Sequence, residues 1–117
     1  MSVTIFKIVP ASVWAAAEAG GQFTGSAVDV ADGFIHFSTA LQAPETAARH
    51  FAAEEGLLLV AVDAELLDVR LRWEPSRGGD LFPHLYGVLP LSAVAWVKPL
   101  PLGRDGRHLF PPLDESA

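Results

Sequence analysis

Two stretches of this sequence carry side chains whose types and spacing could do chemistry. The first is Asp32-Gly33-Phe34-Ile35-His36-Phe37-Ser38-Thr39. Strand side chains alternate faces, so His36 and Ser38 would share a face with Phe34 while Ile35 and Phe37 take the other. An imidazole and a hydroxyl at the end of a strand can fix a polar ligand by hydrogen bonds. The plainer alternative is that Ser38 or Thr39 caps the next helix and His36 is a satisfied, partly buried histidine.

The second stretch runs from Arg70 to Gly87. Arg70, Arg72 and Glu74 are spaced two apart and would face one way. Arg77-Gly78-Gly79 then sets a guanidinium beside exposed backbone amides, a combination that suits a phosphate or carboxylate. His84 and Tyr86 also share a face. The alternative is a solvated strand face with Arg–Glu pairs and a plain turn, although long polar loops often hold functional groups.

Other chemistries lack a signature. There is no Gly-x-x-x-x-Gly-Lys-Ser/Thr, no Gly-x-Gly-x-x-Gly and no His-Glu-x-x-His. His36, His84 and Asp32 have no metal-ligand spacing, so no metal is assigned. His50, beside Phe51, reads as structural, and His108 is uninformative. Trp14, Trp73 and Trp96 read as core residues or lids on it.

Positioning these groups falls to a series of short elements. Val3 to Val9 is β-branched and aromatic and predicts a first strand closed by Pro10. Ala11 to Ala19 predicts a helix stopped by Gly20-Gly21. Gln22 to Asp32 reads as a loop, and Gly33 to Phe37 as a short strand. Thr39 to Glu55 predicts a second helix, with Thr39 and Gln42 at capping-box spacing. Leu57 to Val62 is a continuous apolar run that fits a buried strand, followed by a turn or helical turn from Asp63 to Asp68. Val69 to Glu74 alternates as a half-buried strand should. Pro75 to Pro83 reads as a loop, His84 to Gly87 as a short strand, Pro90 to Ala93 as a turn and Val94 to Leu100 as a last strand. Without a regular βαβ rhythm, the expected class is α+β: a small single domain of split, mostly antiparallel sheets with two main helices.

The composition agrees with a packed chain. It has 117 residues, 50% of them hydrophobic and 19% charged, and no cysteine. Thiolate metal sites, disulfide scaffolds and cysteine nucleophiles are thereby excluded. Eight basic and 14 acidic residues leave a net charge of -6, which disfavours binding to bulk nucleic acid or anionic lipid. No secretory leader and no run of roughly 20 apolar residues is present, so a cytoplasmic protein without membrane contact is expected. The tail from about residue 112 is expected to be mobile.

Taken together, the motifs resemble a small uncharacterised family, the domain of unknown function 952. The resemblance covers nearly the whole chain. It runs through Ile5-Phe6-Lys7-Ile8, Trp14, Asp32 to Thr39, then Gln42, Thr46 and His50-Phe51. It is strongest at Arg72-Trp73-Glu74-Pro75-Ser76-Arg77-Gly78-Gly79 and Phe82-Pro83-His84-Leu85-Tyr86-Gly87. The family brings no settled activity. The fold it implies is similar to that of ADP-ribosyltransferases, which cradle NAD between two small antiparallel sheets. Gly33 to Thr39 looks like the Ser-Thr motif of such enzymes. Lys7 stands on the first strand, where many of them have His or Arg.

Three functions follow as expectations. The first is a polar pocket for an anionic small molecule, with NAD or another nucleotide as the candidate cofactor and an ADP-ribosyltransferase-like activity. Glu74 would stabilise a cationic ribose, Arg72 and Arg77 would neutralise phosphate, and Phe37 or Tyr86 would stack on the flat ring. Lys7, Ser38 and Thr39 would complete the binding set, and His36 and Ser38 would orient the ligand. The second is a non-catalytic module that holds an anionic metabolite in the same pocket and needs the arginines but not Glu74 or His36. The third is hydrolysis or proton transfer by His36 and His84, with or without metal. Oligomeric state is not set by any of these residues.

Overall fold

A computed structural model describes residues 3–113 of the chain. The elements run β1 (Thr4–Pro10), α1 (Ala11–Gly20), β2 (Gln22–Phe23), α2 (Ala27–Asp32), β3 (Ile35–His36), α3 (Ala43–His50), β4 (Leu57–Asp63), β5 (Leu71–Pro75), β6 (Leu81–Leu85), β7 (Leu89–Pro90) and β8 (Val94–Leu100). The architecture is α+β, and every strand pair is antiparallel. Three sheets form, ordered β1-β4-β8, β2-β7 and β3-β6-β5.

Strand alternation builds two cores on one sheet. β4 is its central strand, which is why its apolar run is continuous: both faces are covered. Val60 and Val62 point into a first core with Ile5, Val9, Trp14, Ile35, Phe37 and Leu85. Leu57, Leu59 and Ala61 point into a second core with Phe6, Ile8 and the α3 residues Ala43 and Ala47. The first core therefore lies between the β1-β4-β8 sheet and the inner face of the β3-β6-β5 sheet. The outer face of that second sheet is where the polar residues fall.

Several expectations are met closely. α1 follows Pro10 and ends on Gly21, which takes the left-handed conformation with φ 83°. Thr39 and Gln42 exchange the anticipated bonds: the Thr39 N–H donates to Gln42 Oε1 (3.0 Å), and the Gln42 N–H donates to the Thr39 hydroxyl (3.2 Å). β8 spans Val94–Leu100 as predicted.

Other expectations need correction. The segment read as a loop from Gln22 to Asp32 contains β2 and α2. The strand predicted over Gly33 to Phe37 pairs as a strand only at Ile35–His36, because the chain then crosses between sheets. Ser38 exchanges two 2.8 Å backbone bonds with Phe6 of β1, while the Phe37 N–H still donates to the Pro83 carbonyl. The helix predicted over Thr39 to Glu55 forms only over Ala43–His50, with Gln42 rather than Thr39 at its N-cap. Ala53 turns left-handed (φ 58°), and the Gly56 carbonyl is pinned to the Ala11 N–H at the base of β1. β6 begins at Leu81 and runs through Pro83, so the expected loop is shorter and the short strand lies earlier. Of the tail, Leu113 packs partly buried on the second core, and residues 114–117 lie outside the described residues.

Leu85 couples core to site. It is fully buried, sits opposite Ile35 and Leu71, and lies between the outward-facing His84 and Tyr86. Leu85→Ala is expected to cost about 2–5 kcal/mol of stability, measured by urea unfolding.

Candidate functional site

The outer face of the β3-β6-β5 sheet gathers most of the candidate residues. Register does this. His36 lies opposite His84 across β3 and β6, and Arg72 lies opposite His84 across β5 and β6. His36, His84 and Arg72 thus form one row across three strands. Phe34 and Tyr86 stand one step along on the same face, and Glu74 one step the other way.

Aromatic contacts knit the face together. The Phe34 ring stacks on His84 with centroids 4.2 Å apart and tilts against His36 at 4.6 Å and Tyr86 at 5.2 Å. The two histidine rings are 5.5 Å apart. The Arg72 guanidinium carbon lies 5.4 Å from the Tyr86 ring centre. Phe37, given a stacking role on sequence, is instead buried in the first core. Alternation puts Phe34, not Phe37, beside His36.

Each histidine is oriented by a carboxylate. His84 Nδ1 donates to Glu74 Oε1 at 2.8 Å, and the Tyr86 hydroxyl donates to the same oxygen at 2.7 Å. A carboxylate only accepts, so the His84 proton sits on Nδ1. These bonds, Tyr86 first and His84 second, hold the Glu74 carboxyl below its usual range. Its bond to Glu74 in turn raises the Tyr86 phenol. His84 Nε2 has no hydrogen-bond partner among the described residues. His84 as a whole is buried, 5% exposed, and Nε2 is not among the fully buried unpartnered atoms, so it keeps a small contact with solvent.

His36 is held from behind by a residue that sequence reasoning missed. Asp29 is buried on α2, 2% exposed, and accepts from His36 Nδ1 (2.6 Å), the His36 N–H (3.1 Å) and the Ser26 N–H (2.8 Å). Lys7 Nζ reaches both of its oxygens, at 2.9 and 2.8 Å. On the outer side His36 Nε2 meets Asp32 Oδ2 at 3.0 Å. A neutral imidazole has one N–H, so both carboxylates are bonded together only when both ring nitrogens carry protons. Burial alone would raise the Asp29 carboxyl, but the bonds from His36, Lys7 and Ser26 outweigh it and hold the group far below its ordinary range. Burial also pulls the Lys7 ammonium down, against the opposing pull of Asp29.

The remaining candidates lie elsewhere. Lys7 stands behind His36 rather than on the open face, its ammonium engaged by Asp29. Ser38 is buried and shares a 2.9 Å hydroxyl bond with Thr46. Thr39 accepts from the Gln42 N–H at the entry to α3. Arg77 opens a short 3-10 turn, and its side chain lies outside the described part of the structure. Arg70 pairs with Asp68 at 2.9 Å. Asp29 did have a sequence signal: Ser26-x-x-Asp29 has the capping-box spacing that the structure uses at the start of α2.

Among the described residues no three His, Asp or Glu side chains are placed to hold one metal ion. Cavities of about 400 and 470 Å³ lie beside α1 and beside α3, lined by other residues. The site is an open sheet face with directed donors and a stacked aromatic floor.

Comparison with known proteins adds a family and a fold. A family model described as "Protein of unknown function (DUF952)" matches residues 8–97. The X-ray crystal structure of protein CC0527 from Caulobacter crescentus is similar at 51% identity and TM-score 0.87, covering 91% of this chain and 93% of that one. Its solution NMR structure is similar at 52% identity and TM-score 0.81, covering 89% and 90%. No curated protein matches.

Removing the Asp29 charge strands Lys7 in the interior. Asp29→Asn is expected to lose about 3–5 kcal/mol at neutral pH. The sign with pH follows from the lowered carboxyl. Its contribution is complete above the unfolded value near 4 and falls away as pH drops toward the folded value. Urea midpoints should therefore fall more steeply below about pH 5 in the parent than in Asp29→Asn.

Proposed function

The chain belongs to the DUF952 family of proteins of unknown function, and we propose that its polar sheet face binds a small anion carrying a flat ring, with a nucleotide as the leading class. The observation that carries this is the His36–His84–Arg72 row beside the Phe34–Tyr86 aromatic floor. The row offers donors to phosphate oxygens, and the floor offers a surface for a base. Two of the three antiparallel sheets, β1-β4-β8 and β3-β6-β5, pack on one core, which supports the likeness to ADP-ribosyltransferases, and NAD stays the cofactor to test first.

One feature favours proton transfer over a carboxylate facing a cationic ribose. Glu74 Oε1 already accepts from both His84 and Tyr86, so Glu74 acts through His84 as a positioning residue. His84 keeps Nε2 for the ligand. A carboxylate-oriented imidazole of this kind is the ordinary arrangement of a general base near neutral pH. In this proposal the protein works in the cytoplasm on a free metabolite.

The test is calorimetric titration with NAD, AMP and inorganic phosphate at millimolar concentration. AMP and NAD should bind saturably. Arg72→Ala should weaken them about 10-fold or more, the scale of one charge-assisted bond, and Phe34→Ala should weaken AMP but not phosphate. Absence of heat with all three ligands would remove the proposal.

A further inference from the structure

The face offers protons and a cation but, among the described residues, no free thiol or hydroxyl. Cysteine is absent from the sequence. The Ser38 hydroxyl is buried against Thr46, and the Tyr86 phenol is bonded to Glu74. A hydroxyl nucleophile for a reaction at the His36–His84–Arg72 row would therefore come from solvent or from the substrate. A ribonucleotide brings one, since its 2′-hydroxyl sits beside its own 3′-phosphate. The net charge of -6 disfavours a long polyanion, so the matching substrate is short.

We propose that this row cleaves a ribonucleotide phosphodiester by internal transfer, which rests on the nucleotide reading above and names its reaction. His84 Nε2, which has no partner among the described residues and keeps a small contact with solvent, takes the proton of the 2′-hydroxyl. The 2′-oxygen bonds to phosphorus as the bond from phosphorus to the 5′-oxygen breaks. That leaving oxygen takes a proton from His36 Nε2, which faces only the half-exposed carboxylate of Asp32. Products are a 2′,3′-cyclic phosphate and a free 5′-hydroxyl. One proton enters and one leaves the protein, so the step balances without water, metal or redox partner. Exchange with solvent restores both rings.

The geometry suits this division of labour. The rings meet edge to face, with centroids 5.5 Å apart in directly opposed register, so one phosphate group lying along their outer edge can reach both. The two are held differently: His84 meets one carboxylate through Nδ1, and His36 lies between two. Catalysis of this type needs such a difference, because one ring must accept while the other donates. Arg72, next in the row, is placed for the non-bridging oxygens that gain charge as the bonds exchange. Asp29 and Lys7 fix the His36 ring from the core, and Glu74 fixes His84 from the strand beside it.

The experiment compares uridylyl-adenosine with its 2′-deoxy analogue, following binding by calorimetry and products by chromatography. Both compounds should bind with Kd values within about threefold, since the 2′-hydroxyl is a minor part of either contact surface. Only the ribo compound should yield a cyclic phosphate, with a bell-shaped pH profile from one acid and one base. His84→Gln and His36→Gln, purified identically, should lower the rate at saturating substrate at least about 100-fold. Binding of the ribo compound without cleavage overturns the proposal and leaves nucleotide binding standing. Equal cleavage of the deoxy compound, or an undiminished rate in His84→Gln, also overturns it. Failure of both compounds to bind removes the nucleotide reading itself. The deoxy comparison uses the unaltered protein, so it decides the matter even where a histidine variant fails to fold.

Discussion

A single buried carboxylate organises this protein's polar face. Asp29 accepts hydrogen bonds from a lysine on β1, a backbone N–H at the start of α2, and both the backbone and ring of His36 on β3. A lone buried charge would be costly, and each partner offsets part of that cost. The partners also come from distant parts of the chain: Lys7 is 22 residues from Asp29, and His36 is seven. Satisfying this one group therefore fixes where α2 sits against β1 and how the His36 ring is turned. Lys7 points to the same face as Ile5 and Val9, into the first core, and only Asp29 makes that position tolerable for an ammonium.

The sheet that carries the site has two faces with opposite chemistry. Inward go Ile35, Leu85 and Leu71, which anchor it to the first core. Outward go Phe34, His36, His84, Tyr86, Arg72 and Glu74. A one-residue slip in either strand pairing would exchange these sets, burying imidazoles and exposing leucines. The hydrophobic effect thus enforces the register, and the register aligns His36, His84 and Arg72. Packing and site geometry are one constraint seen from two sides of the same sheet. The Phe6–Ser38 crossing joins this sheet to β1, so α3 begins where the first sheet requires it.

Legibility in the sequence followed the range of the interactions involved. The buried run of β4, the alanine-rich α1 and the β-branched β8 carry their pattern within a few residues, and they were readable. The period of two also grouped His84 with Tyr86, and Arg72 with Glu74. It grouped Phe34 with His36 too, which already argued against a stacking role for Phe37. α2 was hidden because its one buried residue is an aspartate, while Val28 and Val30 stay exposed. Its apolar pattern is the reverse of an ordinary amphipathic helix. β6 was hidden by Pro83, since a proline in a central strand lacks a ladder N–H. The facing of His36 with His84 joins positions far apart in the chain, and no local pattern encodes it.

The charge arrangement limits what the site can recognise. Around the two histidines stand the cations Lys7 and Arg72 and the carboxylates Asp29, Asp32 and Glu74. This neighbourhood has no excess of positive charge, and the whole chain carries -6. Long-range attraction cannot bring an anion here, because opposed charges this close cancel within a Debye length of about 8 Å. In the proposed binding function, affinity comes from directed donors and ring contact at short range. Those are contacts that a small ligand with a phosphate and a flat base satisfies together. A bare anion would lack the ring and an extended polyanion would meet the acidic surface around the site, so the same arrangement that weakens attraction sharpens selection.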